Sequence, residues 1–500
     1  MQHIYITTSI PYVNAKPHLG FALELVLADA LARSYRLQGH DVHFCTGSDE
    51  NSTKNVLSAA AAGQPLPAFI EAHAEAFRDL GRQLNICTDD FVRTSVDVRH
   101  RRAVEALWHA CQRNGDIYMG AYEGWYCTGC EAFLADRDLQ DGGCPEHAAP
   151  LQRLREQNYY FRLSRHAETL RTLITSRQLC IRPEHRRQEV LAMLDAGLTD
   201  FSISRPRERA FDWGIPVPGD GRHIIYVWFD ALVNYLSSLG YPDDAARVQR
   251  QWQQGRVIHV IGKGVSRFHS IFWPAMLLSA GLQPPDEIWV HGYVTVDGAK
   301  ISKSAGTTLD PVEAASLRGV DALRHFLLTH IGSDHDGDFT RQGLEHAYTH
   351  ELADTLGNLC SRTLAMIERY RAGRLPQRNA PSTATAAAAA QAHSELHART
   401  SSLQDRFHHL LQNVSTQSAA QLVLEHARLL NAFVAEQAPW QMAKLPARQT
   451  QLDGCLHTLV DGLHAIAACL LALVPSAAAT LRHRLTAVPM RASEALFPKQ

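Results

Sequence analysis

Neither sign of charge dominates this 500-residue chain: 49 Lys and Arg stand against 51 Asp and Glu, a formal net charge of −2. Nothing global therefore argues for a polyanionic partner, although a local basic face is compatible with a neutral total. Cysteine is sparse, ten residues scattered along the chain with one tight group. That pattern excludes a disulfide-stapled secreted scaffold and makes a reducing, cytoplasmic compartment the expectation. The start, MQHIYITTSIP, has no basic region and no long apolar core, so it is not a secretory signal. The most apolar late stretch, residues 465–474 (AIAACLLALV), is too short to span a bilayer and reads as a buried helix. A soluble protein without membrane contact follows. There are no internal repeats.

The N-terminal pattern is clear. Residues 3–10 are short, β-branched and aromatic, which predicts a strand. Pro11 and Pro17 exclude a helix between them. From Gly20 onward, Leu23, Leu27, Ala30, Leu31 and Leu37 recur at helical spacing, with Glu24, Arg33 and Arg36 off that face and Gly39 as the stop. Residues 41–46 (DVHFCT) are strand-like again. Strand, loop, helix, strand is a βαβ unit, so a parallel sheet is expected, with its ligand site at the strand carboxyl ends. Sheet-like patterns return at 223–228 (HIIYVW), 257–261 and 287–291. Residues near 116–215 look like an insertion. From Thr340 the chain reads as almost entirely helical, with a linker within 376–390 (PQRNAPSTATAAAAA).

Three elements carry chemistry. Pro17-His18-Leu19-Gly20 sits at the strand-to-helix turn, where glycine admits close backbone approach and a helix N-terminus favours anions. Residues 297–311 (DGAKISKSAGTTLDP) interleave Lys300 and Lys303 with Ser302 and Ser304 between glycines, a loop suited to closing over phosphates. Cys127-x-x-Cys130, thirteen residues, then Cys144-x-x-His147 has the spacing of a closed tetrahedral zinc site, which makes the ion structural.

The first two elements together resemble the signatures of class I aminoacyl-tRNA synthetases. The blocks TTSIPYVNAKPHLG, TGSDEN, GDIYMGAYEGWYCTGCEAF, YVWFDALVNYLSSLGYP, RFHSIFWPAMLLSAGL and TLGNLCSRT resemble the methionyl-tRNA synthetase family specifically, from residue 3 to about 370 and more thinly to about 475. The resemblance implies an α/β fold: a split Rossmann-type parallel-sheet catalytic domain with a zinc-knuckle insertion, followed by an all-α anticodon-binding helical bundle. The expected divisions are 1–115 and 219–290 for the catalytic halves, 116–218 for the insertion, 291–345 for the lysine loop and 346–500 for the bundle.

The implied activity is ATP-dependent formation of methionyl-adenylate from L-methionine, then transfer to tRNA(Met). By position, His18, Gly20, Phe21, Gly262 and Ser302 are implied at ATP, which brings Mg2+. Lys300 and Lys303 are implied at the leaving pyrophosphate. Asp49 is implied at the methionine ammonium, and Ile10, Tyr12, Trp228, Tyr235, Val265 and His269 around the thioether, with Tyr12 or His269 as a weak donor to sulfur. Asn358 and Arg362, one helical turn apart, and Trp440 after Pro439 are implied at the anticodon. Cys127, Cys130, Cys144 and His147 match the family's zinc module.

Departures cluster at three places: Phe21 where the family usually has histidine, Asn51-Ser52 where it often reads His-Gly, and Gly264 where it usually has an aspartate associated with the ribose. They motivate two rivals. One is a paralogue adenylating another amino acid, against which Asn358, Arg362 and Trp440 argue. The other is a non-catalytic RNA-binding descendant, against which the retained lysine loop argues. The absence of a recognisable appendage after the bundle makes a monomer the expectation.

Overall fold

The computed structural model describes residues 1–127, 132–134, 139–145, 151–300, 309–376, 387–492 and 494–499. Strands from both halves of the chain build one six-stranded sheet: β1 (His3–Thr8), β2 (Asp41–Ser48), β3 (Asp90–Arg93), β4 (Cys180–Arg182), β5 (Arg256–Gly262) and β6 (Glu287–His291). The order is β3-β2-β1-β5-β6-β4, and every neighbouring pair is parallel. β4 falls within the expected insertion, 116–218, yet this short strand pairs with β6 and forms one edge of the catalytic sheet. The same segment also carries a separate antiparallel sheet built on Ile117–Cys127, Ala132–Leu134, Gln152–Phe161 and Phe201–Ser202, and the helices Ala167–Thr175 and Glu184–Asp195.

Alternation along the central strands divides the core. Ile4 and Ile6 of β1, with Ile258 and Val260 of β5, face α1 (Leu19–Leu37). Tyr5, Val257 and Ile261 face the other side, among Trp108, Phe229 and Trp273. Period-two side chains covered on both faces are the signature of a parallel sheet. The α1 side is continuous with the C-terminal bundle of α3 (Asn358–Arg371), α4 (Ala387–Gln412), α5 (Thr416–Gln437) and α6 (Gln449–Leu473), so the two regions share one core.

α1 differs from its sequence reading in an instructive way. Glu24, placed on the solvent side by its spacing, is buried, and Leu37, placed inside, is exposed. The helix is covered by the sheet on one side and by the bundle on the other, so a single apolar stripe underestimates its burial. HIIYVW is likewise only partly a strand. Asp220–Ile225 joins a small antiparallel sheet, and Trp228 belongs to the short helix Val227–Leu232. The linker also ends sooner than expected, since Ala387–Ala390 already belong to α4.

The apolar stretch 465–474 is the end of α6, and its residues are mostly buried. Pro446–Leu473 has the length and hydropathy to cross a bilayer, but 67% of its apolar window is buried inside the protein, as a core helix would be.

Candidate active site

A cavity of about 730 Å³ opens at the carboxyl ends of β1, β2, β5 and β6. From β1 the chain runs outward through β2 and β3, and from β5 it runs the other way through β6, so the crevice lies where strand order reverses. All described residues expected at ATP or methionine line this one cavity: Ile10, Tyr12, His18, Gly20, Phe21, Asp49, Trp228, Tyr235, Gly262, Val265 and His269. Ser302 and Lys303 lie outside the described residues, and Lys300 is described only as backbone at the end of the strand Ala299–Lys300.

One end of the cavity is built for an anion. His18 is the N-cap of α1, in extended conformation, and its Nδ1 accepts from the Gly20 N–H at 3.1 Å. With Nδ1 accepting, the ring proton sits on Nε2, beside the helix N-terminus. A Cβ at Gly20 would lie 3.0 Å from the His18 ring, so glycine lets the ring fold back over the helix start. Phe21 follows, only 7% exposed, its ring edge-to-face with Phe77 at 5.2 Å. The absent donor of this position is therefore replaced by core packing.

Sequence reasoning missed two polar groups in the same wall. Glu24 accepts from the Ser9 N–H at 2.7 Å and the Ser9 hydroxyl at 2.6 Å, and its other oxygen meets His291 Nε2 at 3.0 Å. The pair ties α1 to the end of β6. No spacing rule locates it, because the contact joins residues 267 positions apart.

The other end is aromatic. Trp228 stacks on Phe268 at 3.7 Å between centroids and meets Tyr12 edge-on at 6.3 Å. The Tyr235 hydroxyl lies 2.7 Å from His269 Nε2, while His269 Nδ1 lies 3.0 Å from the Val265 carbonyl. A carbonyl only accepts, so Nδ1 carries the ring proton and Tyr235 donates to Nε2. Burial lowers the His269 pKa to about 4, so the ring is neutral at physiological pH. His269 thus has no proton to offer a thioether in this arrangement, which corrects its expected role as a donor to sulfur. Behind it, His259 is also held neutral by burial, between Thr7 Oγ1 and the Trp273 indole N–H.

Asp49, 2% exposed, stands at the end of β2. Its N–H donates to the Pro11 carbonyl at 2.8 Å, and its backbone pairs with Tyr12 as an isolated parallel bridge. Glu50 turns away from the cavity to Arg93.

The Asn51-Ser52 departure is structural. Asn51 donates to Asp230 at 2.6 Å, whose other oxygen meets His100 at 2.5 Å, and Ser52 caps α2 (Thr53–Ala61). Neither Asn51 nor Ser52 lines the cavity. At Gly264, a Cβ would lie 2.6 Å from the Tyr293 hydroxyl, so Tyr293 occupies the space where a side chain would begin.

Asn358 is exposed and Arg362 half-buried on α3, while Trp440, 40% exposed, lies in the short helix Pro439–Met442 with Pro439 at its first turn. Both helices pack against α6. Of the zinc set, Cys130 and His147 lie outside the described residues. Cys127 ends the strand that pairs with Ala132–Leu134, and Cys144 follows a tight turn closed by Gln140 and Gly143.

Comparison with known proteins bears on the whole chain. The family model described as "tRNA synthetases class I (M)" matches residues 4–153 and 148–364. A methionine–tRNA ligase of Brucella suis is 39% identical over 449 residues, 89% of this chain and 84% of that protein. One from Thermotoga maritima is 37% identical over 475 residues, 94% and 73% of the respective chains. The crystal structure of Mycobacterium tuberculosis methionyl-tRNA synthetase bound by methionyl-adenylate superposes with a TM-score of 0.92 at 33% identity, covering 99% of this chain and all of the other.

Proposed function

Since the chain belongs to the methionyl family of class I tRNA synthetases, its activity is the ligation of methionine to tRNA, and we propose that the cavity at the β1–β5 junction carries out the activation half. The observation that carries this reading is the cavity's two-ended chemistry: a histidine-capped helix N-terminus at one end, a buried carboxylate and an aromatic cage at the other.

The methionine carboxylate attacks the α-phosphorus of ATP and pyrophosphate leaves. No covalent protein intermediate is required, so the protein contributes orientation and charge. His18 Nε2 and the N-terminus of α1 receive phosphate oxygens. Asp49 receives the α-ammonium of methionine, which fixes its carboxylate relative to the phosphate. Trp228, Tyr235 and Val265 surround the thioether, where polarisable rings suit sulfur. Lys300 and Lys303 stabilise the departing pyrophosphate, and ATP enters with Mg2+, which screens its phosphates. Amino-acid-dependent ATP–pyrophosphate exchange tests the reading: methionine should drive exchange and the other standard amino acids should not. Exchange driven by a different amino acid would select the paralogue.

The bundle reads tRNA in this proposal through Asn358, Arg362 and Trp440. Stacking of an unpaired base on an aromatic ring is worth about 1–3 kcal/mol. Trp440→Ala should therefore lower kcat/KM for tRNA charging about 5- to 150-fold while leaving pyrophosphate exchange unchanged. An equal loss in both assays would assign Trp440 to folding instead.

Cys127, Cys130, Cys144 and His147 are proposed to hold one structural zinc. The two described members fit by position and chemistry, thiol side chains at a strand end and after a tight turn. When bound, the ion would cross-link the two turns, and four protein ligands leave no open position for catalysis. Metal analysis should find one zinc per chain, and chelation should loosen the insertion first. Active, folded protein free of zinc would reject the site.

A further inference from the structure

We propose that Lys54 is a positioning residue for methionine that acts through Tyr12; this rests on the methionine-activating reading of the cavity. Tyr12 lines the cavity and Lys54 does not. The Lys54 ammonium lies 4.8 Å from the centroid of the Tyr12 ring. The same ring meets Trp228 edge-on at 6.3 Å, and Trp228 is itself fixed by its parallel stack on Phe268. Tyr12 is thus held between a cation and an immobilised indole.

The placement of the cation is built into the local fold. Lys54 is in the first turn of α2, and its N–H donates to the capping hydroxyl of Ser52 at 3.1 Å. The next residue, Asn55, is buried and donates to the Asp49 carbonyl at 3.1 Å. Asp49 in turn is bridged by backbone to Tyr12. The carboxylate for the ammonium, the ring beside it and the cation on that ring therefore move as one unit. A lysine on the face of an aromatic ring is attracted by the ring's negative quadrupole, an interaction equivalent to a few-fold in an equilibrium at exposed sites and more when half-buried, as here. Because Lys54 touches the ring and not the cavity, its loss should loosen the methionine end without disturbing the ATP end.

The test compares Lys54→Met, which keeps the length and removes the charge, with Lys54→Arg, which keeps the cation on the ring. In pyrophosphate exchange, Lys54→Met should raise the KM for methionine about fivefold, with kcat and the KM for ATP within about twofold; Lys54→Arg should restore most of the loss. In a double-mutant cycle with Tyr12→Leu, the Lys54→Met change should add almost nothing, since its target is gone. An unchanged methionine KM in Lys54→Met, full additivity with Tyr12→Leu, or an equal rise in the KM for ATP would each overturn the proposal while leaving the function intact. Wild-type protein without methionine-dependent exchange would overturn both.

Discussion

Arg324→Met should lower the folding free energy by about 3–5 kcal/mol, the usual consequence of removing one partner of a buried ion pair. Arg324 and Asp29 are both fully buried and joined at 2.6 Å. The guanidinium also donates to the carbonyls of Leu473 at 2.9 Å and Leu84 at 3.0 Å, and more weakly to Ala472 at 3.4 Å. Ala472 and Leu473 end α6, where carbonyls lack helical partners and a cation is favoured. One side chain therefore fastens the last turn of a bundle helix to α1, the helix whose first turn lines the cavity. Removing it leaves a buried carboxylate with Arg33 as its one remaining ion-pair partner, and several orphaned carbonyls. Asp29→Leu combined with Arg324→Met should lose less than Arg324→Met alone, because the buried charge leaves with its partner. Denaturant titration measures both, and a double variant less stable than the single would refute the argument.

The same pair sets a pH dependence. Burial alone would push the Asp29 carboxyl up, yet Arg324 and Arg33 outweigh it and hold the group below its ordinary value. Its contribution to stability is complete above the unfolded carboxylate pKa of about 3.9 and is lost as pH falls through the lower folded value. In Arg324→Met, Asp29 keeps Arg33 and the Cys87 N–H against burial but loses its larger partner, so its pKa rises and acid unfolding should begin at higher pH. That edge is read by circular dichroism across an acid titration.

Local patterns made the site legible where its geometry is local. The turn from β1 into α1 follows from Pro17, His18 and Gly20 alone, and period-two and helical spacings place β1, α1 and β2 to within one or two residues. What escaped is long-range. Glu24 looks like a solvent-face residue until His291, at the end of β6, arrives beside it. β4 is three residues long, too short for any periodicity to register, and exists because β6 supplies its hydrogen bonds. Asn51 reads as a change beside a substrate ligand, but β2 ends at Ser48 and the chain turns into the cap of α2, so Asp49 faces the cavity while Glu50 turns to Arg93 and Asn51 to Asp230. Phe21 shows the same limit. A missing donor is visible in the sequence, whereas its packing against Phe77 depends on the helix Leu66–Gln83, some fifty residues on.

Asp49→Asn should reduce kcat/KM for methionine activation about 100-fold, in line with the loss of one member of a desolvated charge pair. The substitution keeps size and shape, so the isolated bridge to Tyr12 and the backbone hydrogen bond to Pro11 survive, and folding should be unaffected. What disappears is the negative charge that a buried α-ammonium requires. A neutral amide leaves that ammonium desolvated without a counterion, a penalty far larger than loss of a neutral hydrogen bond. The KM for ATP should be unchanged, because the phosphate end is assembled separately from His18 and the N-terminus of α1. This selectivity separates the charge argument from the bland alternative, in which Asp49 merely satisfies loop backbone at the end of β2. If Asp49→Asn activates methionine as the wild type does, the ammonium is held elsewhere, and the assignment of this end of the cavity to the amino acid fails with it.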